Sequence, residues 1–214
     1  MRKRKIYVGA VMLVLFLVWT VLVSIVDVRP IGPQNSEVGF AGINGFFHNL
    51  TGVHMWIYVL TDWLSLVPAG IVLGFGILGL KQWIERKSIL KVDYDILVLG
   101  VFYVVVFGAY ILFEEIAVNY RPMLINGILE ASYPSSTTML VLCVMPTAMM
   151  QFGERVKNEK VNRYVKNAII IFTVFMVGGR LVSGVHWLTD IIGGMMLSAG
   201  IVAIYRYALE LKKK

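Results

Sequence analysis

The chain has 214 residues, of which 58% are hydrophobic and 15% charged, with a formal net charge of +7 and a mean hydropathy of +0.75. Soluble domains run at roughly 45–50% apolar and about 25% charged residues, so a water-soluble core is excluded and an integral membrane protein is indicated. The single cysteine, Cys143, lies in an apolar run, which excludes a disulfide scaffold and a cysteine metal cluster.

Taken in chain order, six stretches are long and apolar enough to cross a ~30 Å hydrocarbon layer. They lie at about 6–26, 55–80, 95–113, 136–152, 167–184 and 187–207, and they predict one all-α membrane domain spanning residues 1–214. The first begins behind Arg2, Lys3, Arg4 and Lys5. It is too long for a signal peptide's apolar core, and no small-x-small cleavage site follows before Asp27, so a retained helix is expected. Residues 27–54, with Gly39, Gly42, Gly45, Phe46 and Phe47, read as an interfacial cap loop. Trp56 and Tyr58 open the second helix at headgroup level.

Sorting Lys and Arg by loop gives the orientation. Seventeen of the 20 basic residues fall before helix one, between helices two and three, between four and five, or after six. The positive-inside rule makes that side cytoplasmic, with both termini inside. Arg29, Arg121 and Arg180 remain, all on the outer side. Charge at a membrane is costly, so an outward Arg needs water or an anionic partner, and a phosphate would suit Arg121 and Arg180.

Ser132-Tyr133-Pro134-Ser135-Ser136-Thr137-Thr138 precedes the fourth span with the composition of a helix start. Free amides of Ser135, Ser136 and Thr137 would then face outward at the positive end of the helix dipole, a ready anion site. Capping alone would account for the same residues. Further on, Arg180 precedes His186 by six residues, and Asp190 follows His186 by four, on one helical face. A carboxylate there can accept the Nδ1 proton, fix the tautomer and leave Nε2 as a nucleophile. A lone His–Asp pair is more often structural, but inside a membrane such a pair marks a functional site.

Arg-Pro at 121–122, Pro-Ser-x-x at 134–137 and Arg-x5-His-x3-Asp at 180–190, in this order on six helices, resemble the type 2 phosphatidic acid phosphatase superfamily of membrane lipid phosphatases. The resemblance covers roughly residues 55–207. It implies a phosphate pocket at the outer face, with Arg121, Arg180, Ser135, Ser136 and Thr137 binding phosphate, His186 forming a phosphohistidine and Asp190 orienting it. Two departures stand out: Glu114 occupies the position of the family's first-motif Lys, and Thr137 that of its second-motif His, the general acid. A Thr hydroxyl cannot supply the ~10²–10⁴-fold of acid assistance, which points to a leaving group needing little help, such as that of a polyprenyl diphosphate. Glu114, neighbouring Glu115 and His54 are the candidate replacement donors. His54 shares a helical face with Tyr58 and Asp62, and Asp62, inside the membrane, needs a partner.

The expected function is therefore a lipid phosphate or lipid diphosphate phosphatase of a bacterial cell membrane, with its site on the extracytoplasmic side. No metal-ligand spacing, cofactor fingerprint or nucleic-acid signal is present. The alternatives are a catalytically impaired relative that binds or moves lipid phosphates, and a phosphotransferase using the same site. Gly178-Gly179 and Gly193-Gly194 read as close helix packing, with Gly194 and Ser198 a small-xxx-small pair.

Overall fold

A computed structural model describes residues 2–212 of the chain, with side chains from Arg4 onward. Lys213 and Lys214, and the side chains of Arg2 and Lys3, lie outside the described residues. The chain forms α1 (Arg2–Ile25), α2 (Ala41–Thr51), α3 (Met55–Leu64), α4 (Leu66–Arg86), α5 (Tyr94–Glu115), α6 (Ser136–Arg155), α7 (Glu159–Val182) and α8 (Leu188–Leu209). Among the described residues six spans are long and apolar enough to cross a membrane, α3 and α4 together making one of them. The protein is an integral membrane protein.

Burial is distributed as a bilayer solvent requires. Val14, Leu17 and Val21 on α1, Ile77 and Ile84 on α4, Val101, Val104 and Phe107 on α5, and Ile171 and Val174 on α7 are exposed apolar residues that can face lipid. The inner elements are α6 and α8, whose faces meet at Gly194 and Ser198. A Cβ on Gly194 would stand 3.2 Å from the Ser135 carbonyl, and Ser198 Oγ donates to the Met139 carbonyl at 3.3 Å. On the other side of α8, a Cβ on Gly200 would lie 2.7 Å from Leu13 of α1. Small residues bring backbones together where hydrophobicity gives no drive between helices. Gly179 packs closely against Thr61 of α3 in this way, whereas Gly178 faces open space.

Four boundaries differ from the sequence expectation. The second span breaks at Ser65, because Pro68 lacks an N–H and its ring clashes with the carbonyl four residues back, that of Leu64, where α3 ends. The same span continues to Arg86 in the basic segment, ending at Lys87 in the left-handed region. The fifth begins at Glu159 rather than 167, so Lys160, Arg163 and Lys166 lie on helical turns, started by Asn158 Oδ1 accepting from the amides of Lys160 and Val161. The stretch 27–54 contains α2, anchored by Asp27 Oδ2 accepting from Gly42 N–H at 2.7 Å. That amide and the Arg29 guanidinium hold the Asp27 carboxyl below its usual range.

Both described chain ends lie at one end of the bundle, where Lys5 pairs with Glu210. Arg155 pairs with Asp95 at 2.6 Å and Arg86 with Asp93 at 2.7 Å at that same end. Arg121, Arg180 and His186 gather at the opposite end. The α5–α6 connection there is a short hairpin, with antiparallel bridges Tyr120–Ala131 and Ile125–Ile128 and a turn through Asn126 and Gly127 at positive φ.

Candidate active site

His186 is delivered by the turn Ser183–Val185 between α7 and α8. Gly184 sits at φ 70°, and a Cβ there would come 2.0 Å from the Gly52 carbonyl. A side chain is therefore excluded both by the backbone angle and by the close approach. His54 N–H donates to the Ser183 carbonyl at 3.0 Å, so the α2–α3 connection clasps this turn.

The His186 ring is buried, and its two nitrogens have opposite company. Nδ1 faces the Ser132 carbonyl at 3.2 Å and Asp190 Oδ2 at 3.7 Å. Both groups only accept, so the proton of the neutral ring sits on Nδ1 and the lone pair on Nε2. Nε2 in turn accepts from Arg121 Nη1 at 3.3 Å. Burial pushes the His186 pKa down to about 4, with Asp190 opposing and Arg121 and Arg180 adding to the shift. The ring is neutral near pH 7, with a basic nitrogen aimed at the arginines.

Asp190 acts on His186 by charge across 3.7 Å, not by the direct hydrogen bond its spacing suggests. Its oxygens are committed elsewhere: Oδ2 accepts from Trp187 N–H at 2.9 Å, closing the start of α8, and Oδ1 from Asn119 Nδ2 at 3.3 Å. Asn119 also accepts from Gly39 N–H, and its carbonyl receives both the N–H and the Oγ–H of Ser132. This buried amide ties together the cap, Asp190 and the carbonyl that orients His186. Asn44 of α2 reinforces the same place, donating to Thr189 Oγ1 and accepting from Thr189 N–H.

Arg180 is 2% exposed, yet Nε and Nη1 have no hydrogen-bond partner among the described residues. Its Nη2 donates to Thr137 Oγ1 and, at 3.1 Å, to Asp62 Oδ1. That supplies the intramembrane partner Asp62 requires. The Tyr58 ring lies 4.9 Å from the Arg180 guanidinium carbon and 6.0 Å from that of Arg121. Arg121 pairs through Nε with Glu130 Oε2 at 2.9 Å. A buried guanidinium with idle donors is expensive unless an anion completes it.

Ser135 departs from its expected part. It is fully buried, its N–H donates to the Asp190 carbonyl at 3.1 Å, and its Oγ accepts from Thr138 N–H at 3.4 Å. It locks α6 to α8. Ser136 and Thr137 occupy the first two helical positions of α6, where a helix offers its amides no intrahelical acceptor.

Of the three proton-donor candidates, Glu114 lines one pocket with His186, Tyr110, Ser132 and Ser136. Glu115, at the end of α5, is exposed and absent from that lining. His54 turns its Nε2 to the Thr51 carbonyl at 2.9 Å. His48 of α2 packs against the Trp187 ring at 5.4 Å. Asn119, Glu130 and Asn44 carry no signal of their own in the sequence, and Ser132 figures there only as the first residue of the stretch before α6. A polar residue two positions before Arg121 was the one available hint.

The profile of the PAP2 superfamily matches residues 102–214. Among solved structures, the chain is similar to the first transmembrane PAP2-type phosphatidylglycerolphosphate phosphatase from Bacillus subtilis. The TM-score is 0.68 at 16% identity, covering 97% of this chain and 98% of that one, which establishes a shared fold. No curated protein matches. The family profile takes in Arg121, Pro134 to Thr137, Arg180, His186 and Asp190, the residues that converge at one end of the bundle. By that match the chain belongs to the PAP2 superfamily.

Proposed function

We propose that the protein is a lipid phosphate or lipid diphosphate phosphatase, working through a phosphohistidine on His186 at the extracytoplasmic face of a bacterial cell membrane. The observation that carries this reading is the buried Arg180 with two idle donors beside a neutral imidazole whose Nε2 is free of protons. Arg180, Arg121 and the amides of Ser136 and Thr137 receive the phosphoryl oxygens. Nε2 then attacks phosphorus in line with the departing oxygen, and water later releases phosphate from the histidine. The charge that spreads over the oxygens in the transition state meets guanidinium groups already in place. On this reading the arginines do what a cation would do elsewhere, and activity survives chelators.

Orientation follows from the basic residues at the end of the bundle carrying the termini, which the positive-inside rule assigns to the cytoplasm. Phosphate release from a panel of lipid phosphates and diphosphates in detergent tests the activity, with His186→Ala as control. Wild type is expected to release phosphate and the variant none. If the variant matches wild type, His186 is not the nucleophile. If lipid phosphate binds without any release, the protein is a non-hydrolytic binder.

A further inference from the structure

Building on that phosphatase reading, we propose that the site takes the phosphoryl group in its singly ionised form, and that the proton the substrate carries is the one its leaving oxygen receives. Both halves follow from how charge is arranged around His186.

Each phosphate-binding arginine already has a resident carboxylate: Asp62 on Arg180 at 3.1 Å, and Glu130 on Arg121 at 2.9 Å. Glu114 lines the His186 pocket from α5, and buried Asp190 stands 3.7 Å from the ring. Tyr58, against both guanidinium groups, and Tyr110, beside Glu114 in the pocket lining, complete the polar surroundings. Around a neutral imidazole, two cations therefore face four carboxylates, contributed by α3, α5, the hairpin and α8. A doubly charged phosphomonoester enters against a net like charge, and its singly protonated form meets one unit less of repulsion. A phosphomonoester loses its last proton near pH 6, so both forms are available around neutrality.

Thr137 spends its Oγ accepting from Arg180, and a hydroxyl is too weak an acid to protonate an alkoxide. The singly ionised substrate needs no outside acid. As Nε2–P forms and P–O to the lipid breaks, the proton on a non-bridging oxygen moves to the departing bridging oxygen. The products are a neutral lipid alcohol and a histidine carrying a doubly charged phosphoryl group on an imidazolium ring. One negative charge stands on each side of the step. Selecting the protonated substrate and dispensing with a protein acid thus become one property of the site.

Two measurements test this separately from the phosphatase reading. The first is binding of inorganic phosphate to the purified protein in detergent, followed by ³¹P NMR between pH 5.5 and 8.5. Affinity should fall about tenfold per unit once phosphate's second proton is lost, and Asp62→Asn, which keeps the acceptor and removes the charge, should flatten that fall. Glu130→Gln does the same at Arg121 and serves if the Asp62 variant fails to fold. The second is kcat/KM on phosphatidic acid and on its phosphorothioate analogue, whose last proton leaves at lower pH. The descending alkaline limb should move down with the analogue. A limb that stays fixed, or phosphate affinity independent of pH, overturns the inference even where lipid phosphates are hydrolysed. A loss of a hundredfold or more at pH 5.5 in Glu114→Gln also overturns it, by making Glu114 the acid. Hydrolysis of no lipid phosphate together with pH-selective phosphate binding overturns the phosphatase reading and supports the charge selection.

Discussion

At the end of the bundle that carries the termini, Arg86 and Arg155 stand with side chains 40% and 30% exposed, each paired with a half-exposed aspartate. At the other end Arg180 is 3% exposed by side chain, holds Asp62 and Thr137 with one nitrogen, and leaves two nitrogens idle. The same residue type thus serves two purposes, and burial tells them apart. An exposed arginine is hydrated and screened, and its pairing contributes little. A buried guanidinium that has lost water and gained too few partners keeps the binding energy it can offer an anion. On the proposed reading the basic end orients the chain and the end with the buried arginines binds the anion.

The contrast can be broken most sharply at Arg180. Arg180→Lys keeps the charge and loses the planar donor set, and kcat/KM should fall by roughly 10²–10³-fold. Activity within threefold of wild type would show that a point charge suffices. The turn behind His186 comes next. Gly184→Ala forces a Cβ into the left-handed region and against the Gly52 carbonyl, and should lower stability by about 2–3 kcal/mol in thermal or denaturant unfolding. No change in midpoint would mean the turn repacks freely.

Acid pH separates the ends more gently. His186 in the folded protein is held to about 4, below its ordinary 6.5, so the unfolded chain binds the extra proton first. The stability this histidine contributes is full above pH 6.5 and is lost as pH falls from 6.5 toward 4, by up to roughly 3 kcal/mol. Removing it, as in His186→Gln, should flatten the stability profile in that window. Because the ring stays neutral until about pH 4, activity should hold on the acid side to near pH 5. The smallest effect belongs to the basic end. Lys81 and Glu85 pair at 3.8 Å with side chains 67% and 60% exposed, and Lys81→Ala should leave activity and unfolding midpoint unchanged within error. Orientation is open to a direct check, since the single Cys143 is buried. A cysteine at Asn158 should be shielded from an impermeant maleimide in intact cells, and one at Asn49 should react.

The six spans were legible because twenty apolar residues in a row permit little else in a bilayer. Their ends were not, because helix can continue past the apolar run. Glu159 to Lys166 look like a loop by charge, yet their backbone is helical and their charges lie at the edge of the bundle. Within the site, Arg121, Arg180, His186 and Asp190 stood out, because ionisable groups are rare in such a chain and fell in a recognisable order. Asp62 could be marked as needing a partner, but which partner depended on α3 packing against α7. The Ser132 carbonyl that fixes the His186 tautomer could not be read at all, since a backbone acceptor leaves no trace in residue identity. Ser135 was misplaced for a related reason: its amide is used by the Asp190 carbonyl, a pairing 55 positions apart along the chain.

The central claim is a covalent phosphohistidine on His186. Brief incubation of the purified protein with ³²P-labelled phosphatidic acid, quenched in alkali, should leave a label on wild type that survives base and is released by acid, with none on His186→Ala. Phosphate release by wild type with no such label, or equal labelling of the variant, would contradict it.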